Sequence, residues 1–162
     1  MCKKLTVTIL IAAILILLVL PLVSCSELAD AHSLMIEFCS AYGIDTTIYS
    51  TTVQQGEEGY VTQSFFFSLY GEDMGSVSSF AVILDSDLDR ISECGIFVCY
   101  SDYDAILVTD MLSRRLELIQ GVAASSGLSL PDGAFIIREN KCVVLAALSD
   151  ADQARRIWKR II

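Results

Sequence analysis

The sequence predicts an α+β domain with a four-stranded, largely antiparallel sheet, helices on one face of that sheet, and an additional N-terminal helix. The first observation behind this prediction is an internal similarity. Residues 94–104 and residues 142–152 each end an apolar run with the pattern Ser-Asp-x-Asp, whose side-chain oxygens can cap a helix that follows a strand almost directly. The second observation is that another short apolar run precedes each of the two. Each unit is therefore predicted as strand, strand, helix.

The first half of the domain begins with a predicted helix over residues 26–42, with Ser26 placed to cap it. Its apolar residues recur at helical spacing, namely Leu28, Ala31, Met35, Phe38 and Tyr42. Residues 46–53 are rich in threonine and compatible with a strand. The apolar run at residues 61–70 fits either a short buried helix ended by Gly71 or a strand, and periodicity does not choose between them.

The second half holds both strand-strand-helix units. Its predicted elements, in order, are strands 77–84 and 94–100 joined by a turn at 85–89, a helix from 101 to 120 that stops at Gly121, a loop over 121–133, a hairpin of strands 134–138 and 142–148 that turns at Glu139-Asn140, and a helix that begins at 149–152. The first helix has a predicted buried stripe of Ala105, Val108, Leu112, Leu116 and Ile119. The inner face of the last helix is predicted as Ala151, Ala154, Trp158 and Ile161.

The N-terminus has the layout of an export signal. Lys3 and Lys4 open the chain, and residues 5–23 carry no charge and are almost entirely apolar. This order predicts a secretory signal, and the two lysines keep the N-terminus in the cytoplasm while the remainder is exported. As a helix the apolar stretch would span about 28 Å at about 1.5 Å per residue. Its length is therefore also compatible with an uncleaved membrane anchor.

The residues after the apolar stretch favour a lipoprotein signal. Leu22-Val23-Ser24-Cys25 resembles the lipobox of bacterial lipoproteins, in which the cysteine thiol receives a diacylglycerol and a signal peptidase cuts before the cysteine. The resemblance implies a signal peptide over residues 1–24, a lipid on Cys25, and a single extracytoplasmic domain over residues 25–162. The expected location is the outer face of the cell membrane, with the membrane as a partner through that lipid. The alternative is a plain signal anchor with a coincidental cysteine.

A second resemblance rests on Leu69-Tyr70-Gly71, on the strand at residues 93–100 with its acidic helix start, on Arg114 and Arg115 in the helix, and on the late hairpin and final helix. From about residue 66 onward these pieces resemble an uncharacterised family of small secreted or lipid-anchored domains from Gram-positive, Clostridia-like bacteria. The chain departs from it at the hairpin, where similar proteins tend to have Gly-x-Tyr-Val and residues 140–143 are Asn-Lys-Cys-Val. The resemblance implies a compartment and an architecture and supplies no active site.

Charge is distributed unevenly along the domain. Without Lys3 and Lys4 the chain has 9 basic and 20 acidic residues, a net charge of −11. Residues 25–89 contain 11 acidic residues and no lysine or arginine. This acidic half argues against a nucleic-acid partner, whose phosphates it would repel, and against direct adsorption to anionic lipid. A solvated face is the favoured interpretation, and a surface for cations or a basic partner is the alternative.

The cysteines of the domain beyond Cys25 predict no metal site and no cofactor. They are Cys39, Cys94, Cys99 and Cys142, and their spacing lacks a Cys-x-x-Cys pair or a nearby histidine. Burial as small apolar residues is the favoured interpretation, although an exported domain could pair them. Cys94 and Cys99 are predicted to point to opposite faces of one strand.

Two further patterns fail as sites. Residues 85–89 place carboxylates at alternate positions like a calcium loop, but Arg90 stands where glycine is needed and Ile96 where glutamate is needed. His32 is the only histidine, and its helix neighbours Asp30 and Ser33 do not converge with it on one face as a triad would. No catalytic residue is therefore predicted, and no metal ligand.

Three functional hypotheses follow. The leading one is a non-enzymatic lipoprotein that binds an envelope protein or assists an envelope assembly. The alternative is a ligand-binding module for a cationic or peptide solute that uses the acidic half. The third is a carboxylate-based hydrolase, since two carboxylates suffice to cleave a glycosidic bond; the sequence does not show which two would face each other. The sequence predicts no particular oligomeric state.

Overall fold

Five strands form one sheet in the residues that the computed structural model describes, which are 30–85, 92–128 and 133–162. The strands are β1 (Tyr49–Ser50), β2 (Val77–Asp85), β3 (Ser92–Cys99), β4 (Phe135–Glu139) and β5 (Cys142–Ala147). The helices are α1 (Ala31–Tyr42), α2 (Gln63–Tyr70), α3 (Asp102–Ser126) and α4 (Ala151–Ile161). The strand order is β1-β2-β3-β5-β4, and every neighbouring pair is antiparallel. The predicted α+β class with an antiparallel sheet is confirmed.

The sheet has one strand more than the predicted four. The added strand is β1, in which Tyr49 and Ser50 pair with Val82 and Ala81 of β2. It lies inside the threonine-rich stretch 46–53 and is only two residues long. So short an edge strand leaves few unpaired backbone groups for another chain to pair with.

Helices cover both faces of the sheet, so the predicted arrangement with helices on one face is wrong. Along β2, Ala81 and Ile83 pack in the layer of α1 and α4, whereas Phe80 and Val82 pack in the layer of α2 and α3. Every residue of β3 and β5 is buried. The physical reason is that their apolar runs do not alternate with polar residues, which is the pattern of strands covered on both sides.

α1 begins at Ala31, five residues later than predicted. Asp30 has extended backbone, with φ −65° and ψ 158°, and its carboxylate accepts hydrogen bonds from the amides of His32 and Ser33. Burial by itself would raise the pKa of Asp30, but the hydrogen bonds from Ser33 and His32 outweigh it and lower that pKa. Asp30 therefore caps α1 in place of Ser26, which lies with Leu28 outside the described residues.

α2 confirms the helical alternative for residues 61–70. Thr62 caps it by accepting from the Phe65 amide, and Gly71 ends it in the left-handed conformation with φ 73°. The buried rings of the helix contact those of the sheet with centroids 5.1 to 6.2 Å apart, and these rings are Phe66, Tyr70, Phe80 and Phe97.

α3 runs to Ser126 and ends at Gly127, so the predicted stop at Gly121 is wrong. Gly127 has φ 69°, and its amide donates to the carbonyl oxygen of Ala123. Gly121 lies exposed inside the helix, where glycine costs roughly 1 kcal/mol relative to alanine. Ala123 is buried two residues later, and this packing favours continuation of the helix past Gly121.

The hairpin and the last helix follow the prediction with a shift of one residue. β4 and β5 pair up to Glu139 and Cys142, so the turn residues are Asn140 and Lys141. Asn140 has φ 53°, a conformation that asparagine adopts more readily than most residues. Asp150 caps α4 by accepting from the Gln153 amide. In α3 the preceding serine of the motif, Ser101, is the cap, so the two Ser-Asp-x-Asp patterns start their helices at different positions.

Candidate functional site

Glu93 is a buried carboxylate, with only 1% of the residue exposed to solvent. It lies on β3 between Leu84 of β2 and Ala147 of β5. An isolated charge in such a position costs several kcal/mol unless it is paired. A buried ionisable group with a specific partner is also a common mark of a functional site.

Arg115 of α3 supplies the partner. Its Nε and Nη2 atoms donate to Oε2 of Glu93 at 3.1 and 2.6 Å, and the Arg115 side chain is 16% exposed. Two charge-assisted hydrogen bonds from one guanidinium are among the strongest polar contacts in proteins. They hold the middle of α3 against the sheet.

Tyr70 of α2 completes the cluster. Its hydroxyl donates to Oε1 of Glu93 at 3.3 Å, and the Arg115 guanidinium lies 5.9 Å from the centre of its ring. Burial and the nearby Glu93 carboxylate raise the pKa of Tyr70 well above its ordinary value, with the Arg115 charge acting in the opposite direction. The phenol therefore keeps its proton and stays a hydrogen-bond donor at physiological pH.

The cluster connects α2 and α3 to the sheet, and Gly95 makes room for it. A Cβ atom at position 95 would lie 3.3 Å from the Tyr70 hydroxyl and 2.9 Å from a ring carbon of Phe97, so close approach requires glycine here. Glu93 faces an arginine and a tyrosine. It thus offers no pair of facing carboxylates of the kind that the hydrolase hypothesis needs.

A cavity of about 300 Å³ lies on the other face of the sheet, near the end of α1 and the start of α4. Tyr42, Asp45, Ser92 and Ser149 contribute polar groups to its lining. The Tyr42 hydroxyl accepts from the Asp150 amide at 2.8 Å, so the start of α4 orients it. The volume is at the lower end of the range for small-molecule sites, roughly 300–1,000 Å³, and Asp45 gives the cavity an acidic wall.

The predicted lipidation site, Cys25, lies outside the described residues together with the export segment, so the lipid stays a prediction. Among the described helices none is long and apolar enough to cross a membrane. Residues 86–91, which include all of the calcium-like run at 85–89 except Asp85, also lie outside the described residues. Within residues 30–85, 92–128 and 133–162 no group of three or more His, Cys, Asp or Glu side chains is placed to hold a metal ion.

His32 is half-buried on α1. Its neighbour Ser33 donates its hydroxyl to Oδ2 of Asp30 at 2.8 Å, and the other carboxylate oxygen accepts the two backbone amides of the cap. The imidazole Nδ1 has no hydrogen-bond partner among the described residues. These contacts are those of a helix cap, and they do not bring the three side chains together as a triad.

All four predicted core cysteines are free thiols in the core, namely Cys39, Cys94, Cys99 and Cys142. Cys94 packs in the layer of α1 and α4 and Cys99 in the layer of α2 and α3, so the predicted opposite orientation is confirmed. Burial raises the pKa of Cys39 and of Cys142 to about 11 and that of Cys99 to about 12.

These raised pKa values predict a loss of stability at alkaline pH. The unfolded chain releases thiol protons from about pH 9 upward, whereas the folded chain still holds them. The contribution of these thiols to the free energy of unfolding is therefore fully present below pH 9, and it is lost as pH rises toward 11 and 12. Each such thiol contributes about 1.4 kcal/mol per pH unit over that window. Urea unfolding under reducing conditions between pH 8 and 10.5 measures this fall. A Cys39→Ala variant should show a shallower fall, and an equally steep one would contradict the assignment to this thiol.

The surface of α3 exposes several large apolar side chains. They are Tyr103, Ile106, Leu107, Leu118 and Val122. The surface of α4 is basic, with Arg156, Lys159 and Arg160 exposed. The guanidinium of Arg155 lies 4.1 Å from the centre of the Phe135 ring, which is a cation–π contact.

Sequence reasoning did not identify the ion pair of Glu93 and Arg115, although a signal was present. Arg115 stands three residues after Leu112 and four before Ile119, on the buried stripe of α3. An arginine at such a position requires a buried acid. Glu93 lies near the start of the otherwise apolar strand β3, which directly precedes α3 in sequence. It was therefore the candidate for the acid that pairs with Arg115.

Comparisons with protein-family models, with curated proteins and with solved structures give no match to this chain. The contacts of its own residues are therefore the basis for a functional proposal.

Proposed function

We propose that this chain is a lipid-anchored extracytoplasmic domain, without catalytic activity of its own, that binds an envelope protein through the outer surface of α3. The observation that carries the proposal is the exposure of large apolar side chains on that helix, of which Leu118 is 57% exposed. Contiguous apolar patches on a protein surface mark sites of interaction with other proteins or with membranes.

Three of these side chains follow one flank of α3. Leu107 and Leu118 are eleven residues apart, about three helical turns, and Val122 follows Leu118 by about one turn. Met111 lies between them and is buried, so the exposed residues continue the apolar interior outward. A partner helix or strand that covers this flank would remove their apolar area from water, a favourable contribution of about 25 cal/mol per Å² before the costs of association.

Other contacts support a binding role over a catalytic one. The Glu93 carboxylate is occupied by Arg115 and Tyr70, and the Asp30 carboxylate is occupied by the cap of α1. Both carboxylates therefore stabilise the fold through these hydrogen bonds.

Replacing Leu118 with aspartate is expected to remove the partner from in-cell crosslinking of the tagged full chain, because it places a charge in the contact. An unpaired charge buried in an apolar contact costs well over 1 kcal/mol, so we expect at least about a tenfold loss of the specific crosslink. Mass spectrometry of the captured proteins is the measurement. Cys25→Ala should also lose the partner, since the chain would no longer be held at the membrane.

Ile36→Asp is the matched control for Leu118→Asp. Ile36 is also an exposed apolar residue, half of it in solvent, but it lies on α1 on the other face of the sheet. The control should keep the partner. Equal capture by wild type and Leu118→Asp would overturn the proposed surface, and normal processing and localisation of Cys25→Ala would overturn the anchor.

A second candidate function has the cavity near Tyr42 and Asp45 as its support. Its acidic and hydroxyl lining suits a small cationic solute. We expect a basic dipeptide or a polyamine such as spermidine to raise the thermal midpoint of the wild-type domain, and Asp45→Asn to abolish that rise. An unchanged midpoint with both probes would count against this candidate.

A further inference from the structure

We infer that one end of the domain rests on the bilayer surface, with Tyr100 and Tyr103 in the lipid headgroup layer. This inference rests on the proposed anchor at Cys25 and adds an orientation to it. We call this end the proximal end. It is the end of the sheet where β2 starts at Val77 and β3 finishes at Cys99.

The length of the tether ties the proximal end to the membrane. Asp30 caps α1, and the amide of Ala31 donates to Oγ of Ser79 near the start of β2 at 2.9 Å. Asp30 is five positions after Cys25, and a chain extends at most about 3.6 Å per residue, or about 18 Å in total. β2 has 9 residues and is about 30 Å long at about 3.3 Å per residue. A lipid on Cys25 therefore holds the proximal end nearer to the bilayer than the opposite end.

The proximal end also carries the start of α3 and the turn between β4 and β5. Val98 pairs with Cys142, and the amide of Cys99 donates to the carbonyl oxygen of Lys141 at 2.8 Å. Tyr100 follows directly. α3 then runs toward the opposite end, where Arg115 reaches Glu93 at the far end of β3.

Tyr100 and Tyr103 are the most exposed large apolar residues of the described chain, at 61% and 67%. Tyrosine combines an apolar ring with a polar hydroxyl, and it is enriched where a protein meets the membrane–water interface. Lys141 is exposed in the same region and has a long apolar stem below its charge. A position in the lipid headgroup layer would explain why the rings of Tyr100 and Tyr103 are exposed at the proximal end.

Electrostatic attraction does not supply this contact. Asp102 lies between the two tyrosines in sequence and is exposed, and Asp30 caps α1 nearby. Acidic groups gain nothing from anionic lipid. The tether supplies the proximity, and the tyrosine rings supply the affinity for the interface, so the contact should form on zwitterionic lipid.

Photo-crosslinking from chosen positions tests the orientation. Benzoylphenylalanine replaces Tyr100, Tyr103 or Leu118, one at a time, in the full lipidated chain, which is purified and reconstituted in phosphatidylcholine vesicles. Leu118 is the matched control because it is exposed on the same helix as Tyr103 but lies fifteen residues, about 22 Å, further along it. We expect a phosphatidylcholine adduct at positions 100 and 103 and no such adduct at position 118.

The outcomes separate the inference from the proposed function. The intact mass of the purified chain and its retention on vesicles report the lipid on Cys25 independently of any crosslink. A lipidated, retained chain without adduct at 100 and 103, or with equal adduct at 118, overturns the orientation and leaves the anchor in place. A chain without lipid overturns both. Protein adducts at 103 in cells, in place of lipid adducts, would assign this end to a protein partner and overturn the membrane contact.

Discussion

Replacing Arg115 with alanine is expected to lower the free energy of unfolding by about 3–5 kcal/mol, because the change leaves a buried carboxylate without its counter-charge. The Glu93 side chain is only 1% exposed, so water cannot replace the lost guanidinium without opening the core. The Tyr70 hydroxyl would remain as its single neutral donor. Urea unfolding followed by circular dichroism at neutral pH measures the loss.

Arg114 is the matched control for Arg115. It also pairs with a carboxylate, that of Glu72, but its side chain is 59% exposed and that of its partner 49%. Exposed ion pairs contribute about 0–1 kcal/mol, so Arg114→Ala should change stability little. A loss of similar size for both arginines would contradict the view that burial of Glu93 makes the difference.

A double variant distinguishes the value of the ion pair from the cost of breaking it. Glu93→Met combined with Arg115→Met removes both charges and keeps apolar volume, and such replacements are often neutral or stabilising. We therefore expect the double variant to be more stable than Arg115→Ala. If the double variant is instead much less stable than wild type, the hydrogen bonds of Glu93 to Tyr70 and Arg115 contribute more than the charges cost, and the cluster stabilises the fold directly.

Local signals in the sequence were sufficient to predict β3, β5 and the starts of α3 and α4. The runs at residues 94–100 and 142–148 lie within one or two residues of β3 and β5. Capping by a Ser-Asp-x-Asp motif is a contact within four residues, and Ser101 and Asp150 both make it. The position of the cap within the motif differs between the two helices, because which oxygen caps depends on where the strand ends.

The sequence also contains a signal for helices on both faces of the sheet, although the prediction placed them on one face. Residues 94–100 contain no alternating polar residue after Cys94, and a strand with one wet face would show alternation. The end of α3 was a harder case, since Gly121 and Gly127 are both suitable stops by residue type. Burial of Ala123 decides between them, and that burial depends on packing that a local pattern does not contain.

The candidate site was the least predictable part. Glu93 and Arg115 are 22 positions apart in sequence, and Tyr70 comes from a third element. Their convergence depends on the register of β3 and on the rotation of α3 about its axis. Neither quantity follows from helical or strand periodicity alone. The position of Arg115 on the buried stripe of α3 indicates that it has a buried acidic partner, but it does not identify Glu93 as that partner.

Replacing Trp158 with alanine is expected to lower the free energy of unfolding by about 3–5 kcal/mol, as for other fully buried aromatic residues. Trp158 is completely buried on α4 and belongs to the same packed cluster as Phe38 and Met35 of α1. Its loss would leave a cavity between the two helices. Circular dichroism should follow the unfolding, because Trp158 is the only tryptophan of the chain and its removal abolishes the fluorescence signal.

Trp158→Phe tests which property of the indole matters. The indole Nε1 has no hydrogen-bond partner among the described residues, so phenylalanine removes ring volume and no hydrogen bond there. We expect it to cost much less than alanine. Ile162→Ala, at the exposed end of the same helix, should cost well under 1 kcal/mol. A loss from Trp158→Phe as large as that from Trp158→Ala would instead indicate an acceptor for the indole outside the described residues.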